Sequence, residues 1–172
     1  MYAFLTRWAD RLISLSALVG TLGLLTEVLV ILIDVIGRYF GAPLVGSQDI
    51  SQMAMVLVVF GGMALCDKVG GHVSVDVFER LLPTRALWIG DVLAPLLGAV
   101  IFCAIAWTVW ESAALSRMLN LATNIIYLPK AWFQYAVVAM SLITALGMLI
   151  RGFGIAVSGK PIRHMQEREE VL

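Results

Sequence analysis

An all-α membrane protein with four transmembrane helices is the fold this sequence predicts, and three observations predict it. Of 172 residues, 60% are hydrophobic and only 14% charged, with a mean hydropathy of +0.92, whereas soluble domains carry about 25% charged residues. The apolar residues form four long blocks instead of recurring at the periods of half-buried helices or strands, and a bilayer's hydrocarbon takes about 20 such residues to cross. Lysine and arginine alternate in density between successive connections, the pattern of a chain threading back and forth.

The first block, 12–37, carries Glu27 and Asp34 and ends at Arg38-Tyr39-Phe40-Gly41. Arg7 and Arg11 precede it, but it outruns a signal peptide's apolar region and lacks a small-x-small cleavage site, so it reads as a retained span. A Gly/Pro/Ser turn follows. Ser47 suits an N-cap for the second span, 48–66, with Asp49 where the helix dipole favours an anion. Gly61-Gly62 within that span would let another helix come close. The segment 67–83 is polar, with Val75, Phe78 and Leu82 on one helical face and Asp76, Glu79 and Arg80 on another. It predicts a short amphipathic helix, about 73–82, lying in the membrane interface.

The third span, 87–115, contains Pro95, which should kink it at a cost that neighbouring helices absorb. A polar break over 120–127 leads to Pro129, well placed to start the fourth span, 131–150. From Arg151 a charged tail, 151–172, completes a single membrane domain. The N-terminus, middle connection and C-terminal tail hold nine lysines and arginines, and the other two connections only Arg38, Arg117 and Lys130. That bias predicts both termini and the middle connection in the cytoplasm. Trp8, Trp88, Trp110 and Trp132 fall near block edges, as an aromatic belt would place them.

Net charge is zero, so no bulk attraction to nucleic acid follows. Cys66 and Cys103 read as small packing residues. The histidines, His72 and His164, lie outside the spans, which argues against a membrane haem protein and a redox anchor. With no phosphate-cradling glycine motif, nucleophile elbow or zinc spacing, neither an enzyme nor a cofactor is expected.

Glu27, Asp34 and Arg38 are spaced seven and four apart on one helical stripe, with Gly20, Gly23 and Thr26 on or beside it. A charge in hydrocarbon is costly, so the stripe must face protein or water. Two readings of Glu27 stand: a proton- or ion-coupling carboxylate, or a neutral or hydrogen-bonded structural residue, with Asp34 and Arg38 paired near the outer interface. Two small-xxx-small pairs, Ala94 with Gly98 and Ser141 with Ala145, suggest helix contact faces.

The run Arg38-Tyr39-Phe40-Gly41, then Pro43, Gly46-Ser47 and Asp49, a Gly/Ala-rich span and Lys68-x-x-x-His72-Val73-Ser74-Val75-Asp76 resembles the small membrane subunit of the tripartite ATP-independent periplasmic (TRAP) transporters. Pro129-x-x-Trp132-x-x-Tyr135 is similar to the start of that family's last helix. Asp49 stands where the family more often has glutamate. The resemblance implies a three-part uptake system of the bacterial inner membrane. A soluble periplasmic protein captures a substrate, usually an organic acid, and a large multi-spanning permease carries it, driven by a sodium or proton gradient. The small subunit clasps that permease as a scaffold. Glu27, Asp34, Arg38, Asp49, Lys68, His72 and Asp76 would then be partner-contact or structural residues, with Lys68 and His72 placed to meet lipid phosphates, cap carbonyls or touch the permease. The competing function is a self-sufficient four-helix proton-coupled multidrug exporter using Glu27; the long middle connection, amphipathic segment and long tail oppose it.

Overall fold

A computed structural model describes residues 2–69 and 84–158. They form α1 (Tyr2–Tyr39), α2 (Ser47–Lys68), α3 (Thr84–Met118) and α4 (Lys130–Ser158), with no strand among the described residues. All four helices are long and apolar enough to cross a membrane. The predicted amphipathic helix at 73–82, with His72 and Asp76, and the tail beyond Ser158 lie outside the described residues.

The helices outrun their apolar blocks. α1 begins at Tyr2, not near residue 12, and has 38 residues, which at 1.5 Å each is about 57 Å. α2 has 22 residues and reaches about 33 Å, close to the roughly 30 Å of bilayer hydrocarbon. Arg151 does not open a tail, since α4 continues through it to Ser158. Nor does Pro95 end α3.

Two helices stop the same way. At the end of α1 the Ala42 N–H bonds the Gly37 carbonyl at 2.8 Å and the Gly41 N–H bonds that of Arg38 at 3.1 Å, with Gly41 at φ 77°. At the end of α3 the Leu121 N–H bonds Ser116 at 2.9 Å and the Asn120 N–H bonds Arg117 at 3.2 Å, with Asn120 at φ 49°. Both are Schellman caps, with glycine and asparagine at the left-handed position those residues tolerate best. The start of α2 differs from expectation. Gly46, at φ 85°, is the N-cap with no side-chain cap bond, and Ser47 is already helical. A left-handed glycine turns the chain into the helix one residue before the serine could cap it.

α1 covers a stripe spaced alternately four and three residues, Ala9, Ile13, Ser16, Gly20, Gly23, Glu27, Val30 and Asp34, of which Ser16, Gly20 and Gly23 lie on α2 and Ile13 meets Gly147 of α4. That 3.5-residue repeat keeps one helix face on its partners. At its centre Gly20 and Gly61 bring the two backbones together, and the Ser16 hydroxyl donates to the Gly61 carbonyl at 3.2 Å. α3 has one close helical neighbour, α4, whereas α4 also meets α1 and α2. Ala99, Phe102, Ala145 and Met148 form the α3–α4 core, and Phe60 and Met63 of α2 pack on it. Ser141 and Ala145 sit on a contact face as expected, and Gly98 meets Met148 of α4, but its partner in the expected pair, Ala94, is exposed. The buried row of α3 runs instead through Ala99, Phe102, Ala106 and Ala113, because spacing alone does not say which side of a uniformly apolar helix is covered.

Candidate functional site

The ion pairs gather at the two ends of the bundle. At the loop end, Asp34 pairs with Arg38 at 2.6 Å and accepts the Leu44 N–H at 3.0 Å, so one carboxylate closes the last turn of α1 and holds the 40–46 loop. Asp49, in the first turn of α2, reaches across the bundle to accept the Ile125 and Ile126 N–H groups at 2.8 and 3.0 Å. The polar break of 120–127 is therefore a folded loop, closed by an Ala122–Pro129 bridge and a Leu128 N–H to Thr123 hydroxyl bond at 3.0 Å. Asp49→Ala would leave two amides to exchange their acceptor for water, since Ile125 and Ile126 are exposed loop residues, at a net cost of about 1 kcal/mol. Amide exchange at Ile125 and Ile126 should then speed up severalfold while α3 stays protected; unchanged exchange would mean the loop holds itself.

At the terminal end two ion pairs fasten three helices. Lys68 of α2 meets Asp10 of α1 at 2.8 Å, and Arg151 of α4 meets Asp67 of α2 at 2.9 Å. The Asp67 side chain is only 8% exposed, and Arg151 also donates to its backbone carbonyl at 2.9 Å. A shallow cleft of about 170 Å³ lies alongside, lined in part by Asp10, Asp67, Lys68 and Arg151; both of its cations are already paired within the chain. Along α2, Asp49 and Asp67 stand 18 residues apart, about 27 Å, so the two polar stations are separated by roughly the thickness of bilayer hydrocarbon.

Glu27 stands apart from both stations. It lies seven residues inside Asp34, about 10 Å deeper along α1, and is half-buried at the edge of the α1–α2 seam. No hydrogen bond or ion pair reaches it among the described residues. A carboxyl group at such depth costs about 2.5–3.5 kcal/mol on insertion scales.

The structure thus joins Asp34 with Arg38, gives Asp49 and Lys68 partners of their own, and leaves Glu27 apart. His72 and Asp76 lie outside the described residues. Sequence reasoning missed Asp10, Asp67 and Arg151 as pairing residues. The available signal was charge of both signs at block ends predicted to share one side of the membrane. Trp8, Trp107, Trp110 and Trp132 are exposed, and the Trp88 indole donates to the Ile155 carbonyl at 3.3 Å. No metal-holding group of three or more His, Cys, Asp or Glu occurs among the described residues.

Fold and polar sites together define a multi-pass helical membrane protein in which charge at helix ends fastens helices and loops to one another. Comparison with protein families sharpens this: residues 27–155 match the model described as "Tripartite ATP-independent periplasmic transporters, DctQ component". The chain belongs to that family and is a small component of such transporters, a family of transporter parts and not of enzymes. Membership implies partner subunits. The match begins at Glu27 and takes in all the motif residues through Asp76. Among curated proteins nothing matches.

Proposed function

We propose that this chain is the non-enzymatic scaffold subunit of an ion-gradient-driven uptake system for organic acids. It clasps the large multi-spanning permease in the bacterial inner membrane, with a periplasmic substrate-binding protein as third partner and lipids around it. The observation that carries this reading is where polarity sits. Asp34, Asp49, Asp67 and Arg151 are engaged in holding helix ends and loops, the helix contacts are filled by alanine, glycine, apolar side chains and the uncharged hydroxyls of Ser16, Ser141 and Thr144, and α1 and α3 turn large apolar residues outward along their length. Such a body supports a neighbour better than it conducts a solute. Arg7, Arg11, Lys68, Arg85 and Arg151 favour the terminal end as cytoplasmic and the loop end as periplasmic. His72 and Asp76 then belong to the cytoplasmic connection, where they fix that segment or touch the permease.

The test is affinity purification of the tagged chain from native membranes in mild detergent, with mass spectrometry of what accompanies it. A large permease of many spans is the expected companion. The rival reading, a proton-coupled multidrug exporter using Glu27, predicts that the chain alone moves solute in liposomes and that Glu27→Gln abolishes this. Transport by the isolated chain would overturn the scaffold reading.

A further inference from the structure

Resting on that scaffold reading, we infer that the open edge of α1 around Leu24, Glu27 and Ile31 seats a membrane-embedded helix of the large permease, which donates a hydrogen bond to the Glu27 carboxyl. Three observations converge on this strip. Asp34, Asp49 and Asp67 each find partners inside the chain, and Glu27 finds none among the described residues, although it lies deeper than any of them. A group that is costly in hydrocarbon is retained where something outside the chain satisfies it. Lipid tails carry no donor, so a helix that covers this strip must bring one.

The second observation is an uncovered stretch on one flank of α1. Ile13 and Ile31 are 18 residues apart, five full turns, and so share a face. Ile13 is 4% exposed and lies against Gly147 of α4, 3.3 Å from where a Cβ would stand there. Ile31 is 46% exposed, so the flank that α4 covers near the terminal end is bare near the loop end. The third is the shape of that bare strip. Leu24 and Ile31 lie one turn before and after Glu27 and both are exposed, giving an apolar row with one acceptor in the middle. A helix with a single donor among apolar side chains complements such a row.

The test uses the assembled transporter, purified through the tagged small chain, with a photo-crosslinking residue placed singly at position 24, 31, 22 or 33. Leu22 and Ile33 are as exposed as Leu24 and Ile31 but lie on the opposite side of α1. Permease adducts from 24 and 31, with none from 22 and 33, are expected; an even or reversed pattern overturns the inference. In parallel, Glu27→Leu should weaken retention of the permease about tenfold, the scale of one charge-assisted hydrogen bond. Glu27→Gln, which still accepts, should retain most of it. Retention unchanged in Glu27→Leu overturns the inference. Should that variant fail to fold, the crosslinks made with Glu27 intact still decide. A purification of the unaltered chain that yields no permease at all defeats the scaffold reading itself, a result distinct from a permease held through another face.

Discussion

Replacing Gly61 with alanine should loosen α1 from α2 and lower stability by about 1–3 kcal/mol, whereas Gly62→Ala should leave stability unchanged or raise it by up to about 1 kcal/mol. Adjacent glycines in one helix thus have opposite signs. A Cβ on Gly61 would stand 2.7 Å from the Gly20 Cα and 2.8 Å from both the Gly20 nitrogen and the Ser16 carbonyl oxygen. All three are backbone atoms, and a backbone cannot swing away as a flexible side chain does. The helices must part, and the Ser16 hydroxyl then loses the Gly61 carbonyl it bonds. Around Gly62 no heavy atom lies within 4 Å of the added carbon, so alanine there brings only its better helix propensity. Thermal unfolding of both variants in one detergent is the measurement. Equal effects would mean that the helices do not meet at Gly61.

Local spacing was readable in advance, and contact across the bundle was not. The Asp34–Arg38 pair follows from an i, i+4 interval, and the caps at Gly41 and Asn120 rest on residues suited to left-handed turns. Gly61-Gly62 marked a close approach, but nothing in the two letters says which of them meets Gly20. Asp49 looked like a helix-dipole anion because its amides, at Ile125 and Ile126, are far away in sequence. Asp67 and Arg151 looked like the beginnings of a loop and a tail for a physical reason. Charge ends an apolar block in any hydropathy reading, yet two opposite charges that meet can both stay helical at the bundle's edge. Glu27 was legible as an anomaly, and it remains one with the fold in hand.

The same pairing gives the second large effect. Arg151→Ala should cost about 3 kcal/mol, the low end for breaking a buried pair, since the arginine side chain is 34% exposed and that of Asp67 only 8%. The loss falls on what is left behind: a buried carboxylate without its cation, and a last-turn carbonyl of α2 without the donor that reaches it at 2.9 Å. Asp67→Ala should cost less, because Arg151 is long enough to carry its charge to water. Asp67→Asn should fall between wild type and Asp67→Ala, since its amide oxygen still accepts the guanidinium hydrogen bond. The neighbouring pair supplies the control. Lys68 and Asp10 stand at a similar distance, 2.8 Å, but are 42% and 52% exposed, so Lys68→Ala should cost about 0–1 kcal/mol and less at high salt. Unfolding measured for these variants at low and high salt separates burial from charge. If Lys68→Ala proved as damaging as Arg151→Ala, then distance and not desolvation would govern how this end of the bundle is held.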